Sequence, residues 1–177
     1  GNRFAEPYQK IFNKVDNSFP LYLSLLLHDA GRGMEDDTKH EDVGVKLAAR
    51  VADRLKLDAA ITDTLKFLVQ NHLTMVVISQ RRDLDDPTVI TQFTEIVQTA
   101  ERLNLITLHT VADSLGTAPD LWNDFKDQLL RTLYRMAWRE VNGETAFMRS
   151  EQKLREHLVE QVATILPPTF QRDEIDA

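Results

Sequence analysis

PLYLSLLLHDAGRG, residues 20–33, decides how the rest of the chain reads. Pro20 ahead of an apolar run predicts a buried helix with proline in its first turn, where the missing N–H costs nothing. The run is too short to cross a bilayer and follows a mixed polar segment, so it is neither a membrane span nor a signal peptide. Gly31 and Gly33 are expected to break the helix and open the polar loop GMEDDTKH, residues 33–40. His28 and Asp29 then fall at the edge of the core, where unpaired charge is costly. A metal ion would relieve them, and so would an ion pair with an arginine. Adjacent residues do not share a helix face, so one ion can take both only at a helix end or on a distorted turn.

Outward from that stretch the hydrophobic period is helical almost everywhere. A second helix is predicted from about His40 to Leu55, with Val43, Leu47, Val51 and Leu55 on one face. Asp58 reads as the cap of a third helix that carries Ile61, Leu65, Leu68 and, near its end, His72. An Arg- and Asp-rich stretch, SQRRDLDDP (79–87), follows, and Asp86-Pro87 marks the next helix start. That helix reads Val89, Ile90, Phe93, Ile96 and Val97, and a further one reads Leu103, Ile106 and Val111 up to Gly116. Pro119 opens an amphipathic segment with Leu121, Trp122, Phe125, Leu129, Leu133 and Met136, closed by Asn142-Gly143. Glu144 to Leu166 reads as the last helix, before Pro167-Pro168. No run alternates as a strand does. The expectation is an all-α chain, and with no repeat or linker a single domain over 1–177.

Composition narrows the chemistry. With 42% apolar and 28% charged residues the chain is ordinary globular protein. There is no cysteine, so disulfides and thiolate metal sites are excluded, and any metal is held by imidazole and carboxylate. A formal net charge of −7 argues against a general nucleic-acid binder but not against a phosphate-ester substrate, which needs only a local cation. Cytoplasmic location and no membrane association are the matching expectations.

Five histidines remain to be placed. His109 and Asp113, at i and i+4, share a helix face; a local hydrogen bond between them is the plainer reading for His109. His72 follows an apolar helix and is either a cap at its C-terminus or a ligand. His40 opens a helix, a poor place for imidazolium and a good one for a neutral ligand or a phosphate contact. His157 lies in RSEQKLREHLVEQ (149–161) and reads as solvated surface.

LLLHDAGRG (25–33), KHEDVG (39–44), NHLTM (71–75), SQRRDLDDP (79–87), ERLNLITLHTVAD (101–113) and APDLWNDFKDQLLRTLY (118–134) together carry a family pattern. In order and spacing they resemble the HD domain of bacterial PII uridylyltransferase/uridylyl-removing enzymes, over about residues 19–168. The resemblance implies an HD-domain helical bundle that hydrolyses the uridylyl–tyrosine phosphodiester on the PII signal protein and releases UMP. It implies a nucleotidyltransferase domain in front and ACT domains behind as further partners, so that this chain is an excised piece. HD proteins also supply a metal-binding histidine from a helix upstream of the His-Asp pair; none precedes His28 here, as if the chain begins just after that helix. Arg32 stands where the family motif often has lysine. Arginine cannot donate a proton near neutral pH, yet it clamps phosphate in bidentate fashion.

The mechanism implied by that pattern has His28, Asp29 and Asp113 holding a divalent cation, magnesium or manganese first, iron or zinc as alternatives. His40 and His72 stand close enough for a second metal or the scissile phosphate. Asp29 orients or deprotonates the attacking water. Arg32, Arg81 and Arg82 are candidates for the phosphate, with an ion-pair network to Asp83, Asp85 and Asp86 as the rival reading of the last two. Two further functions remain open: a phosphohydrolase acting on a free nucleotide, and a catalytically silent helical regulatory module.

Overall fold

The computed structural model describes residues 4–33, 40–117 and 122–143, together with Arg155, Leu158 and Val159. Among the described residues the regular structure is helical and no strand occurs, as the periodicity predicts. In order, the helices are α1 (Ala5–Phe12), α2 (Phe19–Leu27), a 3-10 turn (Ala30–Gly33), α3 (His40–Leu55), α4 (Ala59–Asn71), α5 (Thr74–Arg81), α6 (Pro87–Val97), α7 (Ala100–Thr117) and α8 (Asp124–Val141).

Local chemistry accounts for most boundaries. Asp58 accepts a hydrogen bond from the Ile61 N–H and caps α4, and Asp86 accepts from Thr88 with Pro87 behind it at the start of α6. Each cap satisfies a donor that the first helical turn leaves unpaired. Asn123 does the same for α8 through the Lys126 N–H, so that helix begins after the position where Pro119 led us to expect it. At its far end Gly143 takes a positive φ of 77°, a conformation that costs glycine nothing. Two helices went unread in the sequence, α1 and α5; the second is eight residues long and carries part of the Arg- and Asp-rich stretch. The loop at 34–39, Pro119, Leu121, His157 and all of the helix expected over 144–166 except Arg155, Leu158 and Val159 lie outside the described residues.

The central element is α7, in which nine consecutive residues from Leu103 to Val111 are buried. A helix apolar on every side is one surrounded on every side, and α7 packs on α1, α2, α4, α5, α6 and α8. Its Leu103, Leu105 and Ile106 meet Met75, Phe93, Leu130 and Leu133 in the main core. A smaller cluster, Ala48, Ala52, Leu65 and Val69, joins α3 to α4, and Leu23 and Leu27 of α2 pack against it. Small residues permit that close approach: a Cβ on Gly44 would stand 3.0 Å from the Val69 side chain.

Two details depart from the apolar pattern. The α2 helix buries only one side, leaving Phe19, Tyr22 and Leu26 exposed, Leu26 by 79%. Phe125 is likewise 69% exposed instead of joining the buried face of α8. No helix among the described residues is long and apolar enough to cross a membrane.

Candidate metal centre

Three helix ends and the centre of α7 meet at one place. The α2 helix stops at Leu27, ahead of the glycines expected to break it, and His28 serves as its C-cap. Asp29 follows in the turn, and Ala30–Gly33 winds into the 3-10 turn that lies on α3. Gly31 is the contact point: a Cβ there would run into the His40 carbonyl oxygen. Lack of a side chain at 31 is therefore what lets Asp29 approach His40 at the start of α3. His72 caps α4, and His109 and Asp113 rise from α7 beneath them.

The donor atoms converge. One ligand atom from each of Asp29, His40 and His72 lies within 4.8 Å of the others, the one such group among the described residues. His72 Nε2 is 3.7 Å from Asp29 Oδ1, while His28 Nε2 is 3.6 Å from Asp29 Oδ2 and 3.2 Å from Asp113 Oδ1. Asp29 thus turns one oxygen to each of two imidazoles. The rings of His28 and His72 stand 5.2 Å apart, those of His40 and His72 5.6 Å.

Two of the imidazoles are also turned the right way. His28 Nδ1 lies 3.0 Å from the Leu25 carbonyl and His72 Nδ1 2.8 Å from the Val69 carbonyl, both in the last turn of the helix that the histidine caps. A carbonyl can only accept, so Nδ1 carries the proton and Nε2 presents a lone pair. His72 is buried, and that burial, above all, pulls its pKa below the ordinary histidine value, which keeps the ring neutral.

Whether the residues fit a cation can be judged from the buried polar atoms. His72 Nε2, His40 Nε2 and Asp29 Oδ1 are buried with no hydrogen-bond partner. A buried polar group without a partner costs on the order of 1–3 kcal/mol. These three atoms face one another, Asp29 Oδ1 also ion-paired with Arg32, and their types, two imidazole nitrogens and a carboxylate oxygen, make a donor set suited to a divalent ion. At ligand bonds near 2.1 Å, cis ligands stand roughly 3.0–3.4 Å apart; His72 Nε2 and Asp29 Oδ1 are 3.7 Å apart, and the three ligand atoms lie within 4.8 Å of one another. The donors are nitrogen and oxygen, as the cysteine-free sequence requires.

Of the two forms of relief expected for the His-Asp pair, the ion pair with an arginine is present. Arg32 Nε stands 2.8 Å from Asp29 Oδ1, an ion pair rather than an aligned hydrogen bond, and 57% of the Arg32 side chain is exposed. Arg81 and Arg82 lie elsewhere. They sit exposed at the end of α5, about 12 Å of helix from its start beside His72. Among the described residues no ion pair ties them to Asp83, Asp85 or Asp86; Asp83 and Asp86 instead accept backbone N–H groups of Asp85 and Thr88.

Two residues were misjudged or missed from sequence. His109 does not hydrogen-bond Asp113: it is fully buried with no well-aligned hydrogen bond, and its ring stands edge-on to His28 at 5.2 Å. Burial, then the neighbouring His28 and His72, lower its pKa to about 4. Glu41 was not singled out at all, yet its Oε2 lies 3.4 Å from His40 Nδ1. A carboxylate beside a histidine at a helix start was the available signal.

Known proteins bear out the resemblance. The chain is 44% identical over 114 residues to the bifunctional uridylyltransferase/uridylyl-removing enzyme of Ruegeria pomeroyi, 64% of this chain and 12% of that one. It is 37% identical over 166 residues to the enzyme of the same name from Cereibacter sphaeroides, 85% of this chain and 18% of that one. A Bradyrhizobium enzyme of that name is 43% identical over 114 residues. The chain therefore spans 12–18% of the length of these curated relatives. No family model and no solved structure matches it.

Proposed function

We propose that the chain is a divalent-metal-dependent phosphodiester hydrolase domain that removes UMP from uridylylated PII signal protein. The observation that carries this reading is the convergence of Asp29, His40 and His72, whose facing donor atoms are buried without a hydrogen bond, in a chain similar to enzymes whose name includes uridylyl removal. His28 and Asp113 extend the same centre on the other side of Asp29. A divalent cation bound there would supply positive charge against the phosphoryl oxygens and lower the pKa of water from about 16 towards 7.

The chain's own residues do the rest. Asp29 reaches both sides of the centre and is placed to orient the attacking water and take its proton. Arg32, exposed and paired only with Asp29, exchanges that carboxylate for the substrate phosphate, which its guanidinium grips bidentately. Neutral His72 keeps its lone pair available because burial disfavours its protonation. Arg81 and Arg82, far along α5, are assigned to more distant parts of the protein substrate. The nucleotidyltransferase and ACT domains of a longer parent chain complete the proposed set of partners.

The test is metal content and hydrolysis of bis-p-nitrophenyl phosphate with manganese(II), for this chain beside one extended upstream by about forty residues, a helix and its connection. Release of UMP from uridylylated PII by the longer chain is the expected result. Cleavage of free nucleotides without release from PII would move the assignment to a nucleotide phosphohydrolase. Metal-free, inactive protein in both lengths would leave a helical regulatory module.

A further inference from the structure

The three imidazoles around Asp29 are not held alike. His28 and His72 cap helices that end at the site, so the carbonyls of Leu25 and Val69, three residues back, receive their Nδ1 protons. His40 is the first residue of α3, and among the described residues no carbonyl is hydrogen-bonded to its ring. Its Nδ1 faces instead the Glu41 carboxylate, at 3.4 Å, while its Nε2 is buried without a partner in the donor cluster. Glu41 is well placed for this: it lies in the first turn of α3, where the helix dipole favours an anion. The other acid of that turn, Asp42, is engaged by the Gln70 side chain of α4 at 3.1 Å.

We infer that Glu41 is a positioning residue of the metal centre, fixing His40 as the Nδ1–H tautomer with Nε2 directed at the cation. A histidine ligand whose second nitrogen is bound to a carboxylate is both oriented and made a stronger donor, and loss of such a partner typically lowers metal affinity about 10–100-fold. Glu41 touches neither substrate nor ion; it acts through His40. The inference rests on the proposed cation centre and adds the residue that governs one of its ligands.

The test compares wild type, Glu41→Ala and Glu41→Gln. Manganese(II) affinity is measured by titration calorimetry, and the His40 tautomer of metal-free protein is read by long-range proton–nitrogen NMR at mildly alkaline pH. Glu41→Ala is expected to bind manganese about 10–100-fold more weakly and to shift His40 to the Nε2–H form, with the melting temperature in chelator unchanged. Glu41→Gln, whose amide oxygen still accepts a hydrogen bond, should retain the wild-type tautomer and most of the affinity. Undiminished affinity in Glu41→Ala, or an Nε2–H His40 in wild type, overturns the role of Glu41 and leaves the centre standing. Failure of wild type to bind manganese both in this chain and in the one extended upstream overturns both.

Discussion

His109 should make this fold sensitive to acid, and His109→Leu should remove that sensitivity. The ring is fully buried with no well-aligned hydrogen bond, and burial, then His28 and His72, hold its pKa at about 4; Asp113 and the Ser24 carbonyl act in the opposite direction and more weakly. The unfolded chain returns it to the ordinary value of 6.5. A group with a depressed folded pKa takes up its proton more readily when unfolded. The histidine-linked stability is therefore complete above about pH 6.5 and is lost as pH falls towards 4. The difference, 6.5 − 4 = 2.5 units, at about 1.4 kcal/mol per unit, sets the full loss at about 3 kcal/mol. Most of that loss, roughly 2–3 kcal/mol, is reached by about pH 4.5. For a chain of this size it corresponds to about 5–10 °C of melting temperature. The assay is thermal unfolding followed by circular dichroism in chelator, for wild type and His109→Leu, at a series of pH values from neutral to about 4.5. The advantage of the leucine variant should widen by about 5–10 °C as pH falls. Carboxylates and the other histidines are common to both chains and largely cancel in the difference. Parallel melting curves against pH would refute the reasoning.

Other sites give sharper local tests. Asp29→Ala should abolish manganese retention, measured by elemental analysis, with helicity near wild type; full occupancy in that variant would show that the centre lies elsewhere. Gly31→Ala should weaken manganese binding as well as stability, because the new methyl group must push the 3-10 turn off the His40 carbonyl; unchanged binding in a calorimeter would mean the turn yields without moving Asp29. Tyr8→Phe should cost about 1.5–3 kcal/mol in urea unfolding, since the buried Tyr8 hydroxyl donates to Asp127 at 2.7 Å and ties α1 to α8. A loss below about half a kcal/mol would show that Arg131, 3.4 Å from Asp127 on the other side, satisfies the carboxylate alone.

What the sequence determined by itself was helical class and most helix starts, and it singled out the Asp29, His40 and His72 that converge at the candidate site. Period and capping are local properties: Asp58, Asp86 and Pro20 satisfy or spare donors within their own first turns, so no distant contact is needed to read them. The His-Asp pair was legible because a polar dipeptide ending an apolar helix demands a partner. Short helices were harder to see. In α5, eight residues with an arginine end do not set up a clear period, and it is packing on α7 and α8 that makes them a helix. Tertiary structure alone decided which donors share a centre. Asp29, His40 and His72 are separated by up to 43 residues, and their grouping depends on Gly31 admitting the 3-10 turn against α3. It likewise decided that His109 faces His28 in the core while Asp113 pairs with His28 instead of His109, because α7 is enclosed on all sides over Leu103–Val111 and a side chain there has no solvent to turn to. The tautomer of each histidine belongs to the same level. A sequence names the imidazole, but which nitrogen is free depends on the carbonyl or carboxylate that the fold brings to the other.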